Sequence, residues 1–179
     1  ALSTSPMDEA YRGAIGAVPY ALRESDSWLF RSYVIVGGIA ALLVAVLTAL
    51  GLIVLLGQTA GVPGGSLTLS RTFYVLVGLF AFGPLVAPML FVARHHRREG
   101  SDTAYDRWLA VAGYVFLLSL YGGLIASMPA SFELDGEMVT RPDPSGLTAP
   151  IVALLYAIPS ELSVLVPVAG ALGIVAVHY

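Results

Sequence analysis

Four long apolar stretches, separated by polar segments, dominate the pattern of the chain. They cover residues 32–56, 72–93, 108–128 and 149–177. Each is long enough for a helix that crosses a hydrocarbon core about 30 Å thick, which needs about 20 apolar residues. The pattern therefore predicts an all-α integral membrane protein, with four transmembrane helices in one bundle and residues 1–179 as a single domain.

The arginines are distributed unevenly around these stretches. Seven lie before the first stretch or between the second and third, and two lie elsewhere. Because basic residues concentrate on the cytoplasmic side, we expect a plasma-membrane protein with both termini in the cytoplasm and with outer loops at 58–70 and 129–148. The expected anchors at the inner surface are Arg94, Arg97, Arg98, Trp28 and Trp108.

The segment before the first stretch, residues 6–26, predicts a short amphipathic helix. Apolar residues recur at helical spacing from Met7 to Val18, after Ser5 as a candidate N-cap. Pro19 is expected to end or bend this helix. We favour a helix that lies in the cytoplasmic interface of the membrane, and a docking helix for a partner subunit is the alternative.

The second outer loop contains a turn signal. Asp135 and Gly136 separate two short runs, 131–134 and 137–140. Asp-Gly is a preferred pair for the two-residue type I′ turn. We therefore expect a small outer hairpin.

Composition narrows the chemistry. The chain is 57% hydrophobic and 12% charged, whereas a soluble domain has about 25% charged residues. It has no cysteine, which excludes disulfides, thiolate zinc sites and cysteine-ligated iron–sulfur clusters. All its basic residues apart from histidine are arginine, as is common in GC-rich prokaryotic genomes, and no basic patch suggests nucleic-acid binding. The apolar stretches contain no histidine and no nucleophile–base pair, so we expect neither a cofactor nor an enzyme.

Small residues recur every four positions on the first span and also occur in pairs on the third. Such residues let membrane helices approach each other closely. We expect them to pack the four spans together. The helix-packing residues are Gly37, Ala41, Ala45, Ala49, Gly122 and Gly123.

Glu161 is the only charged residue in the four apolar stretches. It lies 12 residues from Ala149 and 18 from Tyr179, so a helix places it near the membrane centre by one count and near the outer boundary by the other. We favour a break at Pro159, with Glu161 in the first turn of the spanning helix. A buried carboxylate on an ion path is the alternative. The candidate functional residues are Tyr156, Pro159, Ser160 and Glu161.

Three hypotheses of function follow. The first is a non-catalytic membrane subunit or assembly protein, because no catalytic group and little extramembrane mass are present. Its partners would be the bilayer and other membrane subunits or a second copy. The alternative is a small ion- or proton-coupled transporter or channel that uses Glu161. The third is a lipid- or quinone-handling protein with an apolar cleft opened by the prolines of the second and fourth spans.

Overall fold

The computed structural model describes residues 13–60 and 65–179, with side chains from residue 16 and from residue 69 onward in the two parts. Its helices are α1 (Gly13–Glu24), α2 (Trp28–Thr59), α3 (Gly65–Glu99), α4 (Thr103–Ala126), α5 (Ala149–Tyr156) and α6 (Leu165–His178). A hairpin follows α4 and consists of β1 (Ser131–Leu134) and β2 (Glu137–Thr140). A 3-10 turn, Ser160–Leu162, precedes α6.

Four segments of this structure are helical, long and apolar enough to cross a membrane. They are 28–59, 69–99, 103–126 and 160–178. The prediction of four helices that are long and apolar enough to span a membrane is thereby confirmed for the described residues. The helices extend beyond the apolar stretches because polar residues cap them in the flanks. At the start of α2, the Ser27 side chain accepts a hydrogen bond from the Phe30 N–H at 3.3 Å. At the start of α4, the Asp102 carboxylate accepts hydrogen bonds from the N–H groups of Ala104 and Tyr105.

The N-terminal helix α1 packs on the bundle through its small residues. Ala17 and Ala21, one turn apart, are buried in the core. The helix continues through Pro19 to Glu24, so Pro19 does not end it. Pro19 is exposed and lies inside this continuous helix. The predicted start of this helix at residues 5–12 lies outside the described residues.

The core lies mainly at one end of the bundle. Its largest buried side chains include Phe30, Tyr33, Leu85, Met89, Leu109 and Phe116. On α2 no side chain from Leu42 to Thr59 is buried, and on α3 none from Leu69 to Pro84. Because four arginines surround the packed end, we call it the arginine-rich end. They are Arg94, Arg97, Arg98 and Arg107.

The long helices pack in two separate pairs in the halves that lie away from the arginine-rich end, which we call the outer halves. On α2 and α3, Gly51 lies against Tyr74, and Gly78 lies against Thr48. On α4, the paired glycines lie instead against α5 and α6, with Gly123 in contact with Pro167. The four spans therefore share one core at the arginine-rich end and diverge in their contacts beyond it.

The prolines of α3 lie inside a continuous helix. Because Pro88 has no N–H, the carbonyl of Pro84 lacks its helical donor. The Tyr33 hydroxyl donates to the neighbouring carbonyl of Leu85 at 2.7 Å. A polar side chain from α2 thus stabilises the proline-containing turn, as is common in membrane helices. Pro167 lies in the first turn of α6, where a missing N–H costs little.

The predicted hairpin between α4 and α5 is confirmed. Its strands pair antiparallel, with Ser131 opposite Thr140 and Leu134 opposite Glu137. Asp135 has φ 52° and Gly136 has φ 86°, and a type I′ turn requires positive φ at both central residues.

Candidate functional site

Three buried polar side chains meet where α1, α3 and α4 come together. The Ser25 hydroxyl donates to one carboxylate oxygen of Asp106 at 2.5 Å, and Nε2 of His96 lies 2.9 Å from the other. The side chains of Asp106 and His96 are each 1% exposed. A carboxylate buried this deeply needs such partners, because burying an unpaired charge is costly. We call Ser25, His96 and Asp106 the polar clasp.

Helical spacing places two members of the clasp on buried faces. Asp106 precedes Leu109 and Ala110 by three and four residues, so it shares their face of α4, which is buried. His96 follows Val92 by four residues on α3, and Val92 is fully buried. Both side chains therefore point into the bundle although they lie near helix ends.

The third member, Ser25, is held by the link between α1 and α2. Its N–H donates to the carbonyl of Ala21 at 3.1 Å, and its carbonyl accepts from Nε of Arg31 at 2.8 Å. Its hydroxyl accepts the N–H of Ser27 at 3.2 Å while donating to Asp106. The clasp thus connects this link to α3 and α4.

The hydrogen-bond partners of the three side chains determine which chemistry the clasp can carry out. One oxygen of Asp106 accepts the Ser25 hydroxyl, and the other lies at hydrogen-bond distance from Nε2 of His96. Nδ1 of His96 is buried and has no hydrogen-bond partner among the described residues. Ser25 faces the carboxylate rather than the imidazole, so His96 does not activate it as a nucleophile. The clasp therefore holds α4, α3 and the link after α1 together by buried hydrogen bonds.

The two adjacent histidines at this end, His95 and His96, do not belong to a cluster of metal-binding side chains among the described residues. No group of three or more His, Cys, Asp or Glu residues in that part of the chain could hold a metal ion. The adjacent histidines face different partners, as their spacing predicts. His96 lies at Asp106, whereas His95 stacks on Tyr105 with ring centres 4.2 Å apart.

An aromatic layer beside the clasp holds the C-terminal end of α6. The Tyr105 hydroxyl lies 2.6 Å from Nδ1 of His178, and the His178 ring stacks on Phe91 at 4.0 Å. His95 stacks on Tyr105 and also lies 3.4 Å from Glu99. All three histidines of the chain therefore pack at the arginine-rich end.

The last apolar stretch is not one helix. α5 ends at Tyr156, Pro159 is extended with φ −54° and ψ 136°, and α6 begins only after the 3-10 turn. Glu161 lies in that turn and is exposed. The apolar segment from Ser160 to His178 has 19 residues, about 28 Å as a helix. Because this is close to the thickness of a hydrocarbon core, Glu161 lies at the end of this span opposite the clasp.

The four candidate residues around Pro159 do not form one polar site in the described structure. The guanidinium of Arg141 lies 4.0 Å from the ring centre of Tyr156 and donates to the carbonyl of Met128 at 3.1 Å. The Ser160 carbonyl accepts a hydrogen bond of 2.7 Å from the Ser163 hydroxyl at the end of the same turn. Glu161 forms no hydrogen bond or ion pair with a described residue. Transport through Glu161 stays a prediction.

The small-residue stripe of α2 divides into a buried and an exposed half. Gly37 and Ala41 are buried, whereas Ala45 and Ala49, one and two turns further out, are exposed. A side chain at Gly37 would lie 3.0 Å from the Tyr33 ring, so the buried half is closely packed. The two predicted packing glycines of α4 are both buried.

The predicted membrane anchors all lie exposed at the arginine-rich end. They are Arg94, Arg97, Arg98, Trp28 and Trp108. Trp28 is 80% exposed and Trp108 64% exposed. Large aromatic rings are typical of the headgroup level of a membrane protein, where one side of the ring is apolar and the other is wet.

An apolar groove lies between α3 and α6. Its volume is about 310 Å³, and its walls include Phe80, Pro84, Ala87, Leu172 and Val175. The groove is lined only by apolar residues, among them a proline of α3.

With this geometry established, the comparisons with known proteins identify the family. Residues 7–179 match a family described as a domain of unknown function, DUF8056. The chain belongs to the DUF8056 family. No curated protein and no solved structure matches it. The match covers every described residue, so the polar clasp, the broken last span and the divided stripe of α2 all lie within the DUF8056 domain.

The polar clasp of this DUF8056 protein is not predicted by the pattern of apolar stretches. Asp106 lies two residues before the apolar stretch 108–128, in a polar flank. A signal was nevertheless present, because Asp106, Leu109, Ala110 and Gly113 have the spacing of one helix face. No comparable signal marks Ser25, which lies 81 residues away from Asp106 in the chain.

Proposed function

We propose that this DUF8056 protein is a non-catalytic membrane subunit whose outer half of α2 packs against a helix of another membrane protein. The observation that supports this function is the stripe of small residues on α2. It continues from the buried Ala41 to the exposed Ala45 and Ala49, beyond the point where the chain buries its own helix. Small residues let a second helix approach closely, and they gain little from contact with lipid.

The outer half of α3 leaves the exposed stripe uncovered. It contacts α2 at Thr48 and Gly51, which lie on a neighbouring face of the helix because successive residues are about 100° apart. Ala45 and Ala49 stay exposed beside this contact. A partner helix can therefore lie along the stripe without displacing α3.

The partner contact is tested by enlarging the exposed stripe. In the variant Ala45→Leu/Ala49→Leu, we expect loss of a stoichiometric partner that co-purifies with the wild-type protein in mild detergent. The added side chains would hold the partner helix away from the α2 backbone. The matched control is Ala176→Leu on α6, which adds the same side chain at another exposed alanine.

Two outcomes of this purification would contradict the proposal. One is a wild-type protein that runs as a stable monomer without any partner. The other is an equal loss of the partner in the α2 variant and in the α6 control. Recovery of a homo-oligomer that the α2 variant alone disrupts would identify the partner as a second copy.

We also propose that the arginine-rich end faces the cytoplasm of a plasma-membrane protein, with both termini on that side. The support is the arginine bias. Arg23, Arg31 and the four arginines that define this end lie together, and Arg71 and Arg141 lie at the other. Basic residues concentrate on the cytoplasmic side of membrane proteins.

The absence of native cysteine makes this orientation directly measurable. Ser101 lies between α3 and α4, Ser145 lies between the hairpin and α5, and both are exposed. In intact cells, a membrane-impermeant maleimide should label Ser145→Cys but label Ser101→Cys only after lysis. The reverse pattern would place the arginine-rich end outside.

A further inference from the structure

A groove with one cationic residue opens between α2 and α4 at the arginine-rich end. Its volume is about 290 Å³, and its lining residues are Leu29, Ala104, Arg107, Trp108 and Val111. On α4, Arg107 and Trp108 lie three and four residues after Ala104, and Val111 lies four and three residues after them, so all four lie along one side of the helix. The groove therefore runs from the polar end of α4 toward its apolar middle.

Arg107 is the one charged residue among the described residues that line this groove. It is exposed and forms no hydrogen bond or ion pair with a described residue. The neighbouring carboxylate, Asp106, is directed into the clasp, where Ser25 and His96 occupy both of its oxygens. Within residues 13–60 and 65–179, no acidic residue lines the groove beside the guanidinium.

The other walls of the groove are apolar and extend toward the membrane interior. Val111 lies four residues beyond Arg107, about 6 Å deeper along the helix. Leu29 of α2 and the ring of Trp108 complete the apolar lining. A small anion would use only the guanidinium, whereas an anionic phospholipid would use every wall.

We propose that this groove is a binding site for an anionic phospholipid. The phosphate lies at Arg107, whose planar guanidinium can donate two parallel hydrogen bonds to it. The acyl chain follows Leu29, Trp108 and Val111 toward the centre of the bilayer. The exposure of Trp28 and Trp108 at the same end is consistent with the headgroup level of a membrane.

The site can be tested by tryptophan quenching in the full-length protein. The chain has two tryptophans, so Trp28→Phe leaves Trp108 as the sole reporter. The protein is reconstituted in phosphatidylcholine vesicles that contain a small fraction of brominated phosphatidylglycerol or of brominated phosphatidylcholine. We expect the brominated phosphatidylglycerol to quench Trp108 more strongly.

Matched variants separate a specific site from general attraction of anionic lipid. Arg107→Gln should reduce the preference for phosphatidylglycerol about fivefold. Arg23→Gln removes an exposed arginine of α1 from the same end, and it should leave the preference unchanged. Val111→Phe narrows the apolar part of the groove without changing its charge, and it should also reduce the preference.

Three results would overturn the proposal. Equal quenching by the two brominated lipids would exclude headgroup selectivity. Equal losses in Arg107→Gln and Arg23→Gln would indicate diffuse electrostatic attraction. Relief of quenching by millimolar inorganic phosphate would identify a simple anion site. Circular dichroism and a thermal melt of each variant establish that it is folded.

Discussion

Replacing Asp106 with alanine is expected to lower the free energy of unfolding by about 2–5 kcal/mol. The truncation removes the acceptor for two buried donors at once, the Ser25 hydroxyl and Nε2 of His96. Both groups are buried where water cannot replace the lost bonds. The same change frees the link between α1 and α2, which is held to α4 through Ser25.

Thermal unfolding in detergent measures this loss, and limited trypsin digestion locates it. Cleavage after Arg23, at the end of α1, should become faster than in the wild type, because α1 loses one of its polar connections. The control is Asp102→Ala, which removes the N-cap of α4 and should cost about 1 kcal/mol. If Asp106→Ala is no less stable than this control, the clasp contributes little to the fold.

The variant Gly113→Ala is expected to destabilise the bundle by about 1–3 kcal/mol through overpacking. A Cβ at Gly113 would overlap the ring of Tyr33. Tyr33 cannot move away easily, because its ring is fully buried and its hydroxyl donates to the Leu85 carbonyl at 2.7 Å. Relief of the overlap would therefore cost a hydrogen bond beside the prolines of α3.

Gly38→Ala is the matched control for this variant. A Cβ at Gly38 meets no heavy atom within 4 Å, and alanine is a better helix former than glycine, so stability should be unchanged or slightly higher. A double variant that also carries Tyr33→Leu tests the contact itself. If Tyr33 is the obstacle, the two changes will be clearly non-additive. Additive losses would show that Gly113 matters for another reason.

Local signals account for the predictions that the structure confirms. The four spans depend on the length of uninterrupted apolar sequence, which a few neighbouring residues determine. The hairpin depends on Asp135 and Gly136, whose conformational preference acts within the turn itself. Neither signal requires knowledge of what packs against the segment.

Contacts between distant residues account for what was missed. The carboxylate of Asp106 joins a serine from the link after α1 and a histidine from the end of α3. The sequence analysis instead concentrated on Glu161, which carries the only charge inside an apolar stretch. The structure places Glu161 in an exposed turn, whereas Asp106 in a polar flank is 1% exposed. The position of a charge relative to an apolar stretch did not indicate whether it is buried.

The sequence by itself determined the four long apolar helical segments, the short hairpin and the end at which the arginines gather. These properties follow from hydropathy, turn chemistry and charge along short segments. The tertiary structure decided which helix faces meet, that Ala45 and Ala49 stay exposed while Gly37 and Ala41 are buried, and that Asp106 joins Ser25 and His96. The physical reason is that lipid is as apolar as a helix interface. A membrane helix that is apolar on every side therefore carries little periodic signal for the face that contacts protein.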